Sequence, residues 1–508
     1  MKPITIFTLL ILSILFPACT AVTPPRLATA QVTVTPIPTG EPFISKAPTA
    51  TAVSGEENNT AAIVAESNPS LTIWINETSP EHIQLMQEMA AEFNQLTNID
   101  AEMVMVSPLL LPDLVNTAVL SDTLPDIILH PAQYSLGWVD KGILSPDAAT
   151  TAIQQIGADS FDPDAINLLS SAGQVAAIPS DGHQQIILYR TDWFAENNLA
   201  TPDNFDSLYA AAEATTDREN LRSGFVVPTE ANLVETHQAF EQMALANGCQ
   251  LIDDKGEVTL LEPACIDAIN FYYRIINQFS PPNVQTYTST PNAYLDGRSG
   301  LILFSPEILP NLASIGAQPG CPECGSNPSF LAENSGVVTM LSGNGAQAVP
   351  ANFSEITALG ITSNADQETA VAFANYWFNG GYEKWLALES ERKVPMRWGT
   401  AAQPRQFIDS WGKTPLAPNQ PTLQDLYGEA VVTQLRDGIA SAPRWGLQQG
   451  QGALITTLYE DLTVAVVLQE MLSGYFPPAQ TINELYNQVT DNIPNYQYYP
   501  EPTATPEN

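Results

Sequence analysis

Basic residues are scarce in this sequence. It contains 18 Lys and Arg against 55 Asp and Glu in 508 residues, a formal net charge of 18 − 55 = −37. Phosphate contacts need clustered Lys and Arg, so this balance argues against a nucleic-acid-binding surface and against electrostatic docking on an anionic membrane. Apolar residues make up 44% of the chain. That fraction excludes disorder of the whole chain and, at this length, predicts more than one lobe.

Catalytic motifs are missing as well. The sequence contains no HExxH, GxSxG or phosphate-binding GxxxxGKS/T motif, and the segment at Gly412 has Phe407 where the first glycine of the last motif belongs. We therefore expect no catalytic residue, no cofactor and no metal. An exported carbohydrate-active hydrolase stays open as an alternative, because 55 acidic residues allow many carboxylate pairs, and so does a ligand-sensing or adhesive surface lipoprotein.

A long apolar run stands at the N-terminus. Lys2 precedes a run from Ile4 to Phe16 that is too short for a transmembrane helix and typical of an export signal. The run ends in Phe16-Pro17-Ala18-Cys19, which resembles the bacterial lipoprotein cleavage box. This implies a signal peptide over residues 1–18, a lipid on Cys19, and anchoring in the cell envelope at the extracytoplasmic face of the cytoplasmic membrane. An ordinary signal peptide with a coincidental cysteine is the alternative.

Low-complexity segments flank the fold. Residues 19–70 are rich in Thr, Pro and Ala. Proline fixes φ and donates no backbone hydrogen bond, so this stretch favours extended conformations without a core. We interpret it as a flexible tether, and residues 493–508 as a disordered tail of the same character.

Four cysteines remain besides Cys19, namely Cys249, Cys265, Cys321 and Cys324. An even number in an exported protein favours disulfides, which persist in oxidising compartments. A hairpin with a Lys-Gly turn over residues 250–260 would bring Cys249 and Cys265 together, and Cys321 and Cys324 would close a short loop. A zinc site is the alternative, although one CxxC and four His in the whole chain are a weak match.

Strands and helices alternate along the rest of the chain. Residues 71–75 form a short apolar strand, and Ser79-Pro80-Glu81 then has the N-cap, first-position and first-turn residues of a helix. Similar units follow, and residues 180–185 are predicted to be a polar turn between two strands. The alternation predicts an α/β fold with mostly parallel sheets, in which ligands bind at the carboxyl ends of strands. Two such ends lie at residues 76–79 and 130–134.

The succession of segments resembles a known family, the extracellular solute-binding proteins of ABC importers in the maltose-binding-protein-like group (family 1). The resemblance covers nearly all of residues 71–490. It rests on LTIWI (71–75), LPDII (124–128), GQVAAIP (173–179), LYRTDWF (188–194), PDNFDSL (202–208), YLDGRSGL (294–301), TALGI (357–361) and AVAFANYW (370–377). Phe205 stands where the family usually has Trp, and the loop with Cys321 and Cys324 is not typical.

The resemblance implies a two-lobed periplasmic-binding-protein-like fold (type II). Each lobe is expected to hold a mixed, mostly parallel sheet flanked by helices, and crossing hinge strands join the lobes. By position, residues 71–182 and 299–356 form the N-terminal lobe, and residues 183–298 and 357–492 form the C-terminal lobe. The resemblance also implies a monomer that captures a small solute, with a sugar favoured, in a cleft that closes by hinge motion and delivers it to ABC transporter permease subunits.

The cleft loops of that family correspond here to strand ends and to parts of the C-terminal region. The expected ligand-binding residues are Glu77, Thr78, Ser79, His130, Gln133, Tyr134, Asp181, His183, Gln184, Glu230, Asn232, Glu307, Arg397, Trp398, Arg444 and Trp445. Tyr134, Trp398 and Trp445 are candidate platforms for sugar rings, because aromatic faces cover apolar C–H surfaces. Glu307 falls where maltose-binding proteins carry a stacking Trp, which argues against maltodextrin as the ligand.

Several of these residues have other interpretations. His130 could simply end a strand, His183 could be a solvated turn residue, and Trp445 could be a packing residue. Arg397 and Arg444 could each pair with one of the many carboxylates instead of a ligand. Trp74 and Trp377 follow strand and helix patterns, so we expect both in the core.

Overall fold

The computed structural model of the chain describes residues 70–77, 79–494 and 496. The predicted signal peptide, Cys19, the tether up to residue 69, Thr78 and most of the predicted tail lie outside the described residues. The strand that opens the fold begins at Ser70, within one residue of the predicted start.

Twelve strands occur in the described part of the chain, numbered β1 to β12. They span Ser70–Ile75, Asp100–Met105, Ile127–Pro131, Ser170–Ser171, Gln174–Val175, Ile178–Gln184, Ile186–Arg190, Ser223–Val226, Ser299–Phe304, Ser335–Val338, Ser354–Ile361 and Val394–Pro395. The strand β6 includes residues 180–184, so the predicted polar turn at 180–185 is wrong. Neighbours on both sides, β11 and β12, pair with β6 there, and their backbone groups hold these polar residues in extended conformation.

Nineteen α-helices, α1 to α19, occur in the same described part. They span Pro80–Thr97, Leu111–Ser121, Ser135–Asp140, Pro146–Ile156, Pro163–Leu168, Thr191–Asn197, Phe205–Thr215, Val234–Ala246, Pro263–Phe279, Ser289–Leu295, Leu309–Leu312, Phe330–Glu333, Gln367–Tyr376, Tyr382–Ala387, Gln406–Ser410, Leu423–Arg436, Gly452–Glu460, Thr463–Leu472 and Pro478–Asp491. As predicted, Ser79 is the N-cap residue of α1 and Pro80 its first helical residue, while Asn98 ends the helix in the left-handed conformation.

A six-stranded sheet forms the centre of the first lobe, with strand order β12-β6-β11-β3-β1-β2. The strand β1 pairs in parallel with β2 and β3, whereas β11 runs antiparallel to β3 and β6, and β12 antiparallel to β6. Leu71, Ile73 and Ile75 alternate with less buried residues along β1, so one face of this strand packs into the core.

A four-stranded sheet forms the centre of the second lobe, with strand order β10-β7-β9-β8. The strand β9 is buried along its whole length because it lies between β7, antiparallel, and β8, parallel. Both sheets are mixed, as expected. The six-stranded sheet has three antiparallel and two parallel strand pairs, and the four-stranded sheet has two antiparallel pairs and one parallel pair. The expectation of mostly parallel sheets is therefore wrong, since β6 leaves the first lobe and its neighbour β11 returns to it in the opposite direction.

The first crossing between the lobes lies within three residues of the predicted one, but the later crossings differ. The chain leaves the first lobe at Gln185, between β6 and β7, and returns within residues 339–353, between β10 and β11. The strands β9 and β10 therefore belong to the second lobe, and β11 and β12 to the first. The assignment of residues 299–356 to the N-terminal lobe is therefore wrong for β9 and β10. The assignment of residues 357–492 to the C-terminal lobe is wrong for β12 and for β11 from Thr357 onward.

The C-terminal helices are divided between the lobes. Helix α17 packs on α3 of the first lobe, whereas α18 packs on α8 and α9 of the second, so the chain crosses once more at residues 461–462. Among the described residues, no single helix is long and apolar enough to cross a membrane, and α17 and α18 reach that length only together, across a bend of 51°. Trp377 is completely buried, as expected, and Trp74 is partly buried against the core.

Both predicted disulfides are present. Cys249 is bonded to Cys265, and Cys321 is bonded to Cys324. The first links the end of α8 to the start of α9 across a short hairpin in which Ile252 pairs with Val258. These bonds correspond to the disulfide interpretation of the four cysteines and not to the zinc alternative.

Candidate functional site

A cavity of about 580 Å³ lies between the two lobes. From the first lobe it is lined by the segments after β1 and β3, by β11, and by residues 385–392. From the second lobe it is lined by the start of α8, by Tyr287 and Thr288 before α10, and by Glu307 after β9. The cavity therefore lies at strand ends, where ligand sites of α/β proteins form.

The structure brings seven of the predicted ligand-binding residues to this region. Glu77, Ser79, Gln133, Tyr134, Asn232 and Glu307 line the cavity itself. His183 lines an adjoining cavity of about 60 Å³, which shares Glu307 with the larger one. Burial lowers the pKa of His183 to about 4, so its imidazole is neutral at physiological pH. Thr78 lies outside the described residues, and the solvated-turn interpretation of His183 is wrong, since β6 holds it opposite Glu355 of β11.

His130 is buried in the first lobe and does not line either cavity. Its Nδ1 lies 3.0 Å from the Ile128 carbonyl oxygen and its Nε2 lies 3.0 Å from the Ser135 hydroxyl. Burial lowers the pKa of His130 to about 4. Both ring nitrogens are thus occupied at the end of β3, and the prediction that His130 binds ligand is wrong because the strand end is covered.

Asp181 and Gln184 are buried in β6, behind the cavity wall. Asp181 accepts hydrogen bonds from the Ser180 hydroxyl and, at 2.6 Å, from Nε1 of Trp385, which does line the cavity. Gln184 donates to three carbonyl oxygens at the end of α16 and accepts from Asn352 at 2.7 Å. Their side chains are therefore fully engaged within the protein, which corrects the prediction that they contact ligand; Asp181 instead positions Trp385.

Arg397 and Trp398 lie within the first lobe, away from both cavities. The Arg397 guanidinium donates to the Phe378 carbonyl at 2.6 Å, to Asn379 Oδ1 at 3.0 Å and to the Ser160 hydroxyl at 3.1 Å. It is 2% exposed, so it reaches neither a ligand nor a carboxylate. The backbone N–H of Trp398 donates to the Ser160 carbonyl, and its ring lies near Arg405 instead of a cavity. Both ligand predictions are wrong for the same reason, packing inside one lobe.

Arg444 and Trp445 join the two lobes in the core. Arg444 donates to Glu241 of α8 at 3.1 Å, to the Ser354 carbonyl of β11 at 3.0 Å and to the Tyr459 hydroxyl at 3.0 Å. Trp445 is 1% exposed, and its Nε1 donates to the Cys249 carbonyl. The packing and ion-pair alternatives are therefore the correct ones for these two residues. Glu230 is not among the residues that line either cavity, and its carbonyl accepts the Thr236 hydroxyl.

Most of the cavity's charged side chains were not predicted from the sequence. They are acidic: besides Glu77 and Glu307, the lining residues include Asp113, Glu235, Glu355, Glu389 and Glu460, against a single cation, Arg392. Arg392 binds both Glu77 oxygens at 2.8 Å and Glu389 at 2.7 Å. The sequence offered one signal for Arg392 as a cavity residue, namely that basic residues are scarce and acidic residues are common in this chain.

Burial changes the proton affinity of two of these acids. It raises the pKa of Glu235 to about 7, and the nearby carboxylates of Glu355 and Glu307 add to the effect. Burial also raises the pKa of Glu307, although Arg392 partly offsets it. The Tyr287 hydroxyl donates to Glu307, and Gln238 donates to Glu355 at 2.7 Å. The floor of the cavity therefore carries several carboxyl groups, two of which hold a proton more readily than an exposed carboxyl group does.

Aromatic side chains line the cavity, mostly covered by neighbours. Tyr134 is 3% exposed and stacks on Trp138, with ring centroids 5.2 Å apart. Trp385 is held between Asp181 and Lys393, whose Nζ lies 3.8 Å from the ring centre. Tyr287 is 37% exposed and is the aromatic residue that offers most surface to the cavity.

One group of acidic and histidine side chains has the spacing of a metal site. The ligand atoms of Glu77, His82 and Glu389 lie within 4.8 Å of one another. Lys393 Nζ already lies 3.0 Å from His82 Nε2, 3.9 Å from Glu77 and 4.0 Å from Glu389, and Arg392 binds both carboxylates. These two cations neutralise the group from within the protein, so its residues do not fit a resident metal ion.

Two α/β lobes with a solute-sized cavity between them define a two-lobed binding protein. The chain matches the family of bacterial extracellular solute-binding proteins over residues 88–387, more than half of its length, and belongs to that family. A relative from Escherichia coli (strain K12), YcjN, named as an ABC transporter periplasmic-binding protein, is 27% identical over 204 residues. The match covers 39% of this chain and 47% of the relative, so the chain spans about half the length of the curated relative that it matches.

Solved structures share the fold. Maltose-bound MalE3 of T. maritima has a TM-score of 0.64 at 15% identity, covering 84% of this chain and 100% of that chain. A sugar transporter protein of Arthrobacter chlorophenolicus A6 with bound laminaribiose has 0.65 at 15% identity, covering 83% and 99%. A solute-binding protein of Thermotoga lettingae TMO with bound alpha-D-tagatose has 0.63 at 18% identity, covering 84% and 100%. They confirm the two-lobed fold that the sequence predicts.

Proposed function

We propose that this chain is an extracytoplasmic receptor that captures a small solute, most favourably a carbohydrate, and delivers it to the permease of an ABC transporter. The observation that carries the proposal is the cavity of about 580 Å³ lined by side chains of both lobes. A ligand that touches both lobes favours their closed arrangement, because only there does it make all of its contacts. Permease docking of the closed form would then report that the receptor is loaded.

A carbohydrate is supported by the cavity's chemistry. Sugars need side chains that accept or donate hydrogen bonds to hydroxyls and aromatic surface that covers C–H groups. Gln133, Asn232 and Ser79 supply the first, and Tyr287 and Tyr134 supply the second. The named ligands of the structural neighbours, maltose, laminaribiose and tagatose, are of the same class.

Binding and chemical turnover are separated by one experiment on the purified protein. Sugars and polyols are screened by thermal shift, and the best ligand is then incubated with the protein and recovered. A ligand at a hundred times its Kd should add about 2.7 kcal/mol of stability and be recovered unchanged. Accumulation of a product would favour the hydrolase alternative, and absence of any ligand-dependent shift would favour the sensing or adhesive alternative.

The position of the site is tested with a steric variant. Asn232→Trp adds a large side chain at an exposed position of the cavity wall, so it should abolish the ligand-dependent shift. Asn483→Trp is the matched control, because Asn483 is exposed on α19 and does not line the cavity. Equal ligand binding by both variants would place the site elsewhere.

We also propose that the mature protein is a monomer anchored by a lipid on Cys19, without catalytic activity, and that residues 19–70, of which Ser70 already belongs to β1, form the tether. Cys19→Ala should release the protein from the membrane fraction and remove the mass of the lipid. Retention of Cys19→Ala in the membrane would contradict this anchoring. Sedimentation of the released protein at the mass of one chain would support the monomer.

A further inference from the structure

Three carboxylates on the cavity floor lie outside the ion pairs of the described residues, although Arg392 acts on Glu307 from beyond 4.0 Å. Glu235 lies in the first turn of α8, Glu307 follows β9, and Glu355 lies on β11, so both lobes contribute to this group, which we call the acidic trio. All three line the large cavity and the small adjoining one. Among the described residues, no Lys, Arg or His nitrogen lies within 4.0 Å of any of the three.

Apart from Asp113, which is exposed, the other charged groups of the cavity are already paired. Arg392 is bound by Glu77 and Glu389, and Glu460 pairs with Lys141. Arg392 is therefore not available to an anionic ligand. Glu307 and Glu355 accept hydrogen bonds from neutral donors, which do not remove their charge.

Among the described residues that line the two cavities, the buried side-chain atoms without a hydrogen-bond partner are all oxygens that can accept. Gln133 is 1% exposed and Gln185 is 7% exposed, and the Oε1 atom of each has no hydrogen-bond partner in the described part of the chain. Asn76 Oδ1 and Glu235 Oε2 are also without a partner there. Buried polar atoms are usually satisfied, so these oxygens indicate a ligand rich in hydrogen-bond donors. An ammonium group donates three hydrogen bonds and accepts none.

The spacing of the trio does not suit a metal ion. A divalent cation needs its oxygen ligands gathered around one point. Among the described residues, Glu77, His82 and Glu389 have ligand atoms within 4.8 Å of one another, whereas the trio does not form such a group. Separated carboxylates suit an organic ligand in which an ammonium group and the hydroxyl groups beside it donate to different carboxylates.

The proton affinity of Glu235 fits the absence of a counter-charge beside it. Burial, with Glu355 and Glu307 nearby, raises the pKa of Glu235 to about 7, so its ionised form is costly without a counter-charge. A cation placed between these groups would lower that cost.

We infer that the solute is an amine-bearing carbohydrate, whose protonated amine lies against Glu235, Glu307 and Glu355. This inference rests on the proposed function, since it specifies the ligand of the same cavity. The ring hydroxyls supply donors for Gln133 and Asn76, and the ring faces the aromatic wall at Tyr287. The lobes close on the ligand partly because Glu355 belongs to the first lobe, and Glu235 and Glu307 to the second.

Matched ligands test the inference on the unmodified protein. Chitobiose with two free amines and cellobiose differ in an ammonium or a hydroxyl at the same positions, and glucosamine and glucose form a second such pair. Calorimetric titration at neutral pH should give tighter binding of each amine, by about ten- to a hundredfold, the worth of a charged hydrogen bond. Spermidine and CaCl₂ are titrated as a cation without a sugar and as a metal alone.

Variants then locate the amine. Glu307→Gln and Glu355→Gln keep the shape of the side chain and should each weaken chitobiose binding by about tenfold or more. Cellobiose binding should weaken less than chitobiose binding in both variants, so that the ratio of the two affinities falls; an unchanged ratio would overturn the inference. Glu213→Gln, on the exposed face of α7, is the matched control and should bind both sugars as the unmodified protein does.

The outcomes separate this inference from the proposed function. Cellobiose binding as tight as chitobiose binding would overturn the inference and leave the carbohydrate receptor standing. Absence of binding for all sugars and polyols would overturn both. Spermidine binding as tight as chitobiose binding, or stabilisation by CaCl₂ alone, would show a cation site that does not require a carbohydrate, and would also overturn the inference.

Discussion

The buried carboxylate of Glu241 connects the lobes, and replacing it with an amide tests that connection. Glu241 on α8 binds Arg444 at 3.1 Å, the Trp445 backbone N–H at 2.8 Å and the Tyr459 hydroxyl at 3.1 Å. Arg444 continues to the Ser354 carbonyl on β11, in the other lobe. Glu241→Gln keeps the size of the side chain and removes its charge, which leaves the Arg444 guanidinium without its counter-ion.

The size of the effect follows from the surroundings. Burial alone raises the pKa of Glu241, but attraction by Arg444, the His237 imidazole 3.3 Å away and the hydrogen bond from the Trp445 backbone outweigh it and lower the pKa to about 2. The fall from the ordinary value of 4.5 corresponds to about 3 kcal/mol in favour of the ionised form. Removal of one partner of a buried ion pair costs about 3–5 kcal/mol in other proteins. We therefore expect Glu241→Gln to lose about 3 kcal/mol of unfolding free energy at neutral pH.

The same reasoning fixes the pH dependence. Between about pH 4.5 and 2 the unfolded state binds a proton at Glu241 that the folded state does not, so the contribution of Glu241 is complete above that window and is lost as the pH falls through it. The difference in unfolding free energy between the unmodified protein and Glu241→Gln should therefore shrink steadily below about pH 4.5.

Urea unfolding followed by circular dichroism measures these differences. The control is Asp409→Asn, which removes the charge of an exposed ion pair. The side chain of Asp409 is 56% exposed and that of its partner Arg405 is 55% exposed, so this substitution should lower the unfolding free energy by less than about 0.5 kcal/mol. A loss below about 1 kcal/mol for Glu241→Gln, or a loss equal to that of the control, would refute the view that this pair stabilises the junction of the lobes.

Three further predictions concern stability. Burial raises the pKa of Glu391 to about 7, so the folded state keeps a proton between about pH 4.5 and 7 that the unfolded state releases, and stability falls as the pH rises through that window. Glu391→Gln should thus raise the unfolding free energy by up to about 3 kcal/mol at about pH 8 and by little at about pH 4. Urea unfolding measures both values, and an equal effect at the two pH values would contradict this prediction. Replacing Cys249 and Cys265 by Ala opens a loop with a sequence separation of 16 and should cost about 3 kcal/mol, measured in the same way, whereas an unchanged midpoint would argue against the bond. Gln184→Ala leaves three carbonyls at the end of α16 without their donor and should lower the unfolding free energy by about 3 kcal/mol; a loss under about 1 kcal/mol would mean that water replaces the amide.

Local elements were predictable because their signals are local. The Ser79-Pro80 start of α1 and the apolar strand β1 appear in the structure within one residue of the expected bounds. Strand partners were not predictable in the same way. The residues of β9 and β11 contain no local signal that states whether the neighbouring strand is β8 or β3. Position along the chain alone therefore assigned β9, and β11 from Thr357 onward, to the wrong lobe.

The candidate site was predictable at strand ends and not in the C-terminal region. Glu77 and Gln133 follow buried strands, and the carboxyl ends of β1 and β3 do face the cavity. Arg444 and Trp445 have residue types that suit a sugar site, but residue type does not state burial. Glu235 and Glu355, separated by 120 positions in the sequence, meet only because α8 and β11 pack on opposite sides of the cavity.

The net charge of −37 does not by itself explain a preference for an amine-bearing ligand. At physiological ionic strength the Debye length is about 8 Å, so acidic groups spread over the surface raise the encounter rate of a cation but add little once it is bound. Selectivity at equilibrium must come from charges that touch the ligand and are shielded from salt. The trio of Glu235, Glu307 and Glu355 meets both conditions, whereas an exposed residue such as Glu213 meets neither. Added salt should therefore slow the association of chitobiose more than it changes the ratio of chitobiose to cellobiose affinity.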